Sequence, residues 1–577
     1  MTISENEQKA LEVIEEHIGE SLLEVSQLER YSLGYSVHDQ HITGLSLYSC
    51  RLMNIPKEIK ALTSLEHIYL RGNNLADLSD ELFSLSSLKI LDLSENDLDS
   101  LSESISALNQ LEELHLESNH LKNLPKSIGS LSFLEILDLS ENELETIPSS
   151  LGKMNKLQTL DLSGNNIIKL PDSIGELYSL EILYLGNNQL QELPESIQNL
   201  TSLKRLNLRN NNIIELPETI SKLSFLTSLF LKGNKIVKLP KTIGELGNLI
   251  YLGLTSNLLK TLPESIGSLF SLDNLSLSSN NLMNVPESIG NLKSLLRLEL
   301  SNNELISLPL SLGNLSNLKI LRCDHNNLTE IPDSIGNLNS LEVLYLEINN
   351  IKELPESISS LKSLKELNLY DNKLTNLPYS IGNLPSLEIL DLSKNQIQEL
   401  PESIGSLNSL IELDVSTNIL INIPESIGAL PLIKTFILGF NRLETIPKSI
   451  GFLTTLEVFD VGKNHLKELP QSIGALTSLR HLYLYYNELN DIPDSIGSLH
   501  SLKYLYLGNN KLSKLPESIG YLKSLKYLFL RANFLSALPL SLESLSSLKY
   551  MNIEKNNLKG YLDFLHKLEV QGIKILK

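Results

Sequence analysis

The sequence contains no tryptophan and only two cysteines among its 577 residues. Cys50 and Cys323 alone cannot build a disulfide framework. No run of about 18 apolar residues occurs, which argues against a membrane-spanning helix and membrane insertion. The opening stretch, "MTISENEQKALEVIEEH", carries acids where a secretory leader has its apolar segment, so the expected location is cytoplasmic. Positive charge is also scarce: 48 Lys and Arg face 69 Asp and Glu, for a net charge of −21. Such a chain repels phosphate backbones on average, and nucleic acid is not an expected partner. Signatures of chemistry are missing too. There is no GxxxxGK[ST], since "VGKN" (461–464) lacks the first glycine and the hydroxyl, and HRD, DFG, HExxH and CxxC are absent. "HDQH" (38–41) lacks further ligands nearby and reads as solvated residues. The expectation is a protein without catalytic residues, metal or cofactor.

What is abundant is one repeat. "LEILDLSENELETIPSSLGKMNK" (134–156) aligns with "LQTLDLSGNNIIKLPDSIGELYS" (157–179), and the 23-residue period runs without insertion from Ile42 to a last, degraded copy starting at Leu548. The consensus is LxxLxLxxNxLxxLPxSIGxLxx. Its LxxLxLxx part alternates as a short strand with leucines inward. Position nine is Asn from Asn73 to Asn556, and an inward Asn can bond the backbone of adjacent turns. Twenty of the 22 prolines occupy the LP step, where Pro fixes a turn and suits the start of a short helical segment. Repeats two and three carry Ser79 and Ser102 there instead. No copy could bury its apolar face alone, so stacked copies must share one core.

The ends depart from the pattern. Residues 1–41 read as an N-terminal helical cap, with a capping box at Ser4–Glu7 and Leu11, Ile14, Ile18, Leu22 and Val25 at helical spacing. Residues 42–570 form the repeat region of 23 copies, and 571–577 a C-terminal tail.

The consensus resembles the leucine-rich repeat family. Within it, LPxSIGxL in 23-residue units is similar to the intracellular class of plant Ras-group proteins, animal Ras-scaffold relatives and Roco-type proteins. The resemblance implies an α/β solenoid: a right-handed horseshoe with a parallel concave sheet and short helical or 3₁₀ segments on the convex side. It also implies a scaffold that binds a protein partner in the groove, in several relatives a Ras-like small GTPase.

Partner-contacting residues should lie where repeats are free to differ, at outward positions three, five, seven and eight. Asp92, Glu95, Glu113, Glu117, Asp138, Glu141 and Asp161 make an acidic strip there, and Arg205, Arg209, Phe230 and Lys232 a small basic island. Repeats 20–23 differ in kind. Position three reads His481, Tyr504, Tyr527 and Tyr550, and position five Tyr483, Tyr506 and Phe529, with Tyr485, Tyr486 and Arg531 following. These four repeats supply eight outward aromatics, as many as the preceding nineteen, so the clustering is the signal. In-register parallel strands should set the rings in two ladders, flanked by Arg480, Lys503, Lys526 and Lys549 at position two. Tyr and Arg dominate binding hot spots, which makes this patch the candidate partner site. Replacing Tyr504, Tyr506 and Tyr527 with Ala is expected to abolish capture with stability nearly intact. Alternative roles are a targeting or inhibitory subunit of a phosphatase or ubiquitin ligase, or self-association through the patch.

Overall fold

The computed structural model describes residues 3–558 and 560–577; Met1 and Thr2 of the cap and Lys559 of the last repeat lie outside the described residues. The chain divides into two compact units, Met1–Asn281 and Leu282–Lys577.

The first unit opens with helix α1 (Glu5–Ile18). Ser4 and Glu7 form the capping box, and Ala10, Leu11 and Ile14 are buried. The helix stops at Gly19, whose φ of 73° ends it before Leu22 and Val25, so these two are not helical as the spacing suggested. The end of the cap is a β-hairpin, which runs into the first repeat and lies beyond the helical spacing. Strand β1 (Leu33–His38) runs antiparallel to β2 (His41–Leu47). "HDQH" is its turn, with Asp39 and Gln40 both left-handed as a type I′ connection requires. From β2 onward each repeat adds one parallel strand, Gly44 opposite His67, to the last of this unit at Asn274–Ser276. The second unit repeats the arrangement from Arg297–Glu299 to Tyr550–Asn552. Helix α2 (Leu562–Val570) follows, burying Leu565 and Leu568. The segment expected as a tail then contains a strand, Lys574–Leu576, paired parallel with Tyr550–Asn552. The protein is therefore a leucine-rich repeat solenoid with a parallel strand face and 3₁₀ turns opposite, in each unit.

Within a repeat the strand is three residues long, at positions three to five, and position four is fully buried, as at Leu91 and Leu482. Position nine ties repeats together. Asn349 Oδ1 accepts the Leu328 N–H (3.0 Å) of the preceding repeat. Its Nδ2 donates to the Cys323 carbonyl of that repeat (3.0 Å) and to Leu346 of its own (3.0 Å). The same pattern satisfies backbone groups from Asn73 to Asn280 in the first unit and from Asn326 to Asn556 in the second.

Position eight behaves differently from the reading that grouped it with the strand. Every copy, from Ser49 to Lys555, has a positive φ there, between 52° and 73°. Only three carry Gly (Gly72, Gly164, Gly233), while Ile348 and Thr417 are β-branched residues held in a conformation that disfavours them. The chain must turn sharply there to send the following Asn inward.

On the opposite side, Pro caps the five-residue 3₁₀ segments rather than starting them, as Pro125 does before Lys126–Ser130. Ser102 replaces it by accepting the Ser104 N–H. Acids that follow the LP step link one repeat to the next. Glu287 accepts the N–H groups of Ser311 (2.9 Å) and Leu310 (3.2 Å) in the next repeat, and Glu356 and Glu402 make similar bonds. These bonds, the Ser311 contacts foremost, hold the Glu287 carboxyl below the usual range. Gly at position 19 lets successive turns touch: a Cβ on Gly336 would sit 2.4 Å from the Ser357 carbonyl oxygen.

Candidate functional site

The in-register pairing of His481–Tyr483, Tyr504–Tyr506, Tyr527–Phe529 and Tyr550–Asn552 brings the expected rings together. At position three, His481 stacks on Tyr504 (4.4 Å, 9° between planes) and Tyr504 on Tyr527 (4.8 Å, 3°). At position five, Tyr483 stacks on Tyr506 (4.7 Å, 15°) and Tyr506 on Phe529 (4.4 Å, 4°). These separations match the ~4.8 Å between adjacent strands, so the sheet itself sets the stacking distance. Tyr550 ends both ladders, tilted 41° to Tyr527 and 46° to Phe529.

The remaining candidates lie off the ladders. Tyr485 meets Tyr483 edge to face at 6.4 Å and lies over Gly462, where a Cβ would come within 2.5 Å of its ring. Tyr486 occupies the left-handed corner, is 53% exposed and meets Tyr485 at 81°. Arg531 stacks on no ring among the described residues; its nearest charge is Glu554, 3.9 Å away.

The ladder residues are half-buried. Burial, with Asp460 contributing, pushes the Tyr483 and Tyr485 hydroxyls above the ordinary tyrosine value, and burial pushes Tyr506 up too. All three remain protonated donors at neutral pH. His481 moves the other way: burial, then Lys503 and Arg480, hold it below 6.5, and its Nδ1 is buried with no hydrogen-bond partner among the described residues. The stacks also revise the cost of substitution. Removing Tyr504, Tyr506 and Tyr527 together breaks five ring contacts at about 0.5–1.5 kcal/mol each, so stability would not stay nearly intact.

Position five is less free elsewhere than the sequence suggested. Asp138, Asp161, Asp391, Asp414 and Asp460 each accept the N–H two residues on, as Asp414 does from Ser416 at 2.8 Å. Asn207 and Asn368 do the same. These side chains shape the turn before the left-handed corner. Tyr483, Tyr506 and Phe529 cannot, so repeats 20–22 relinquish a turn-forming bond that Asn552 keeps in repeat 23. The acidic strip is partly neutralised as well: Arg30 meets the buried Asp92 (3.0 Å), and Arg71 bridges Glu95 (2.6 Å) and Glu117 (3.0 Å). In the basic island Arg209 lies 4.5 Å over Phe230, and Phe230 packs 4.7 Å from Tyr251.

The sequence reading missed Lys463, which sits 4.0 Å over Phe440 and 5.5 Å from Tyr486. All three occupy position eight of successive repeats, and only their shared register would have shown it. Elsewhere, Cys323 is fully buried, and burial raises its thiol pKa far above the usual value. Among the described residues no group of three His, Cys, Asp or Glu is placed to hold a metal, and no helix is long and apolar enough to cross a membrane.

The chain belongs to the leucine-rich repeat family. The model for a leucine-rich repeat region matches residues 195–280, 263–352, 311–374 and 356–437. A leucine rich repeat model matches 63–121, 109–167, 169–213, 431–489 and 500–558. Among curated proteins none matches significantly. Solved structures do. The plant peptide hormone receptor RGFR1 in complex with RGF2 is 30% identical, with a TM-score of 0.65 over 93% of this chain and 92% of that one. The Arabidopsis HAESA ectodomain with an IDA peptide hormone ligand is 32% identical, with a TM-score of 0.60 over 88% and 89%. A Leptospira interrogans leucine-rich repeat protein is 32% identical, with a TM-score of 0.52 over 79% of this chain and 98% of that one.

Proposed function

We propose that this chain is a non-enzymatic scaffold that captures a protein partner on the strand face of repeats 20–23. The observation that carries the reading is the double ring ladder on a solvent-facing surface, its position-five column lying where repeats such as that of Asp414 keep a turn-forming Asp or Asn. Half-buried aromatic surface of this kind supplies large contact area at low entropy cost. Similar solved structures support a ligand-binding role, since RGFR1 and HAESA are each seen with a peptide hormone. The LPxSIGxL resemblance supports a cytoplasmic setting and makes a Ras-like small GTPase the first partner class to test.

Because alanine in the ladder breaks stacks, the discriminating variant leaves the rings in place. Gly508 lies between Tyr485 and Arg531 at position seven, and the atoms nearest a Cβ there are the Arg531 carbonyl oxygen at 3.2 Å, which must give by a few tenths of an ångström, then its N at 3.8 Å and its Cβ at 4.0 Å. Gly508→Gln would obstruct the face while preserving both ladders. The expected result is loss of affinity-captured partner with an unchanged melting temperature, and binding of purified Ras-like GTPases lost in parallel. Capture that survives Gly508→Gln would remove the site assignment. Light scattering that shows a dimer dispersed by the same substitution would replace the partner with a second copy.

A further inference from the structure

The stacking that builds the ladders also decides which part of each ring a partner can reach. An aromatic ring is negative on its faces and positive at its edge. In His481, Tyr504, Tyr527, Tyr483, Tyr506 and Phe529 the faces are turned toward one another, 4.4–4.8 Å apart. What points outward is ring edge and, at the tyrosines, hydroxyl. Those hydroxyls take no hydrogen bond from and give none to the described residues, unlike Tyr345, which donates to Glu366.

The margin reinforces this. Where position-two cations occur elsewhere, a carboxylate on a neighbouring repeat commonly answers them: Lys89 with Glu66, Lys204 with Glu181 and Lys365 with Glu342, each at 2.7 Å, and Arg480 with Glu457 at 3.2 Å. Lys503, Lys526 and Lys549 then follow in three consecutive repeats with no ion pair among the described residues. Like charges at adjacent strand positions destabilise a sheet, so folding alone gives no reason for this run. It is also unusual for a chain with a net charge of −21.

Ring edges, phenolic hydroxyls and ammonium groups are all donors or positive. We infer that the partner presents an acidic protein segment, its carboxylates meeting Lys503, Lys526 and Lys549 while its apolar side chains cover Tyr506 and Phe529. This rests on the binding site proposed above and specifies its ligand. Asp460 and Asp414, on the strand face before the ladder, would repel such a segment and confine its acids to repeats 21–23. Single-stranded nucleic acid fits less well, because its bases need open ring faces to stack on and these are already occupied.

The test is selection of a random-peptide display library on the full chain, with single-stranded oligothymidylate as a second probe. Recovered peptides are expected to be enriched in Asp and Glu together with apolar residues. The binding of a recovered peptide should weaken with added salt and fall about tenfold on Lys503→Gln/Lys526→Gln/Lys549→Gln. The triple variant should melt no lower than the parent, since it removes only mutual repulsion. Lys503→Glu/Lys526→Glu/Lys549→Glu should turn the selection toward basic peptides. Peptides that require the open face at Gly508 but show no acidic bias would overturn this inference and leave the site standing. No recovered peptide would count against both. Oligothymidylate bound as tightly as the peptides, or a triple Gln variant with a lowered melting temperature, would also overturn it.

Discussion

Tyr504 and Tyr527 lie face to face, 4.8 Å between centroids and 3° from parallel, one strand apart in exact register. Tyr527 also touches Tyr550 at 6.4 Å. Tyr527→Ala should therefore lower unfolding free energy by about 1–3 kcal/mol, two ring contacts' worth, whereas Tyr527→Phe should be nearly neutral. Urea denaturation of the two variants separates ring packing from the hydroxyl; an equal loss for both would show the hydroxyl to be structural.

The Asn ladder should be far less tolerant. Asn349→Ala leaves the buried Leu328 N–H without its partner and takes one of two amide donors from the Cys323 carbonyl, which keeps Asn326 Nδ2, at a cost of about 1–3 kcal/mol. Because each Asn bonds its own repeat and the preceding one, hydrogen exchange should accelerate first in residues 318–363.

Ile348 offers the opposite effect. Its φ of 54° is one that Asn adopts readily at the same position in Asn187, Asn210 and Asn509. Ile348→Asn should raise stability by about 1 kcal/mol, read as a higher denaturation midpoint at unchanged slope.

Asp414 is a carboxylate whose pKa is raised, chiefly by burial, while its Oδ1 accepts the Ser416 N–H. A folded pKa above the unfolded value means that ionisation opposes folding. Stability therefore falls as pH rises from about 3.8 through the folded pKa. Asp414→Asn keeps the acceptor and removes the charge, so it should raise the melting temperature at pH 7. The gain should vanish at acid pH, where the carboxyl is neutral in both states.

For His481 the folded pKa is lowered, by burial first and then by Lys503 and Arg480. The unfolded chain takes up the proton first, so stability is complete above about 6.5 and declines as pH falls below it. His481→Gln should flatten that part of the pH profile; an unaltered profile would place the titration elsewhere.

The repeat, its inward leucines and its Asn were legible in the sequence because each has one physical task, repeated without change. The ring ladders were legible for the same reason, since a fixed register turns sequence columns into spatial ones. What stayed hidden was local backbone conformation. Position eight carries Ser, Glu, Lys, Ile and Tyr among others, and no single residue type betrays its left-handed turn. The hairpin at Leu33–Leu47 stayed hidden because the helical spacing ends at Val25 and says nothing of the residues after it, and the Glu287 bridge joins residues 23 and 24 positions apart.

The strand spacing that stacks the rings also acts as a ruler. Successive rungs recur every ~4.8 Å, while an extended segment lying along them repeats its same-side residues every ~6.8 Å. The two series coincide after three rungs and two same-side steps, both about 14 Å. Three rungs is the span from His481 to Tyr550. A segment lying along this face would thus come back into step with it at the far end of the aromatic block, so the block is one full beat of that ruler long.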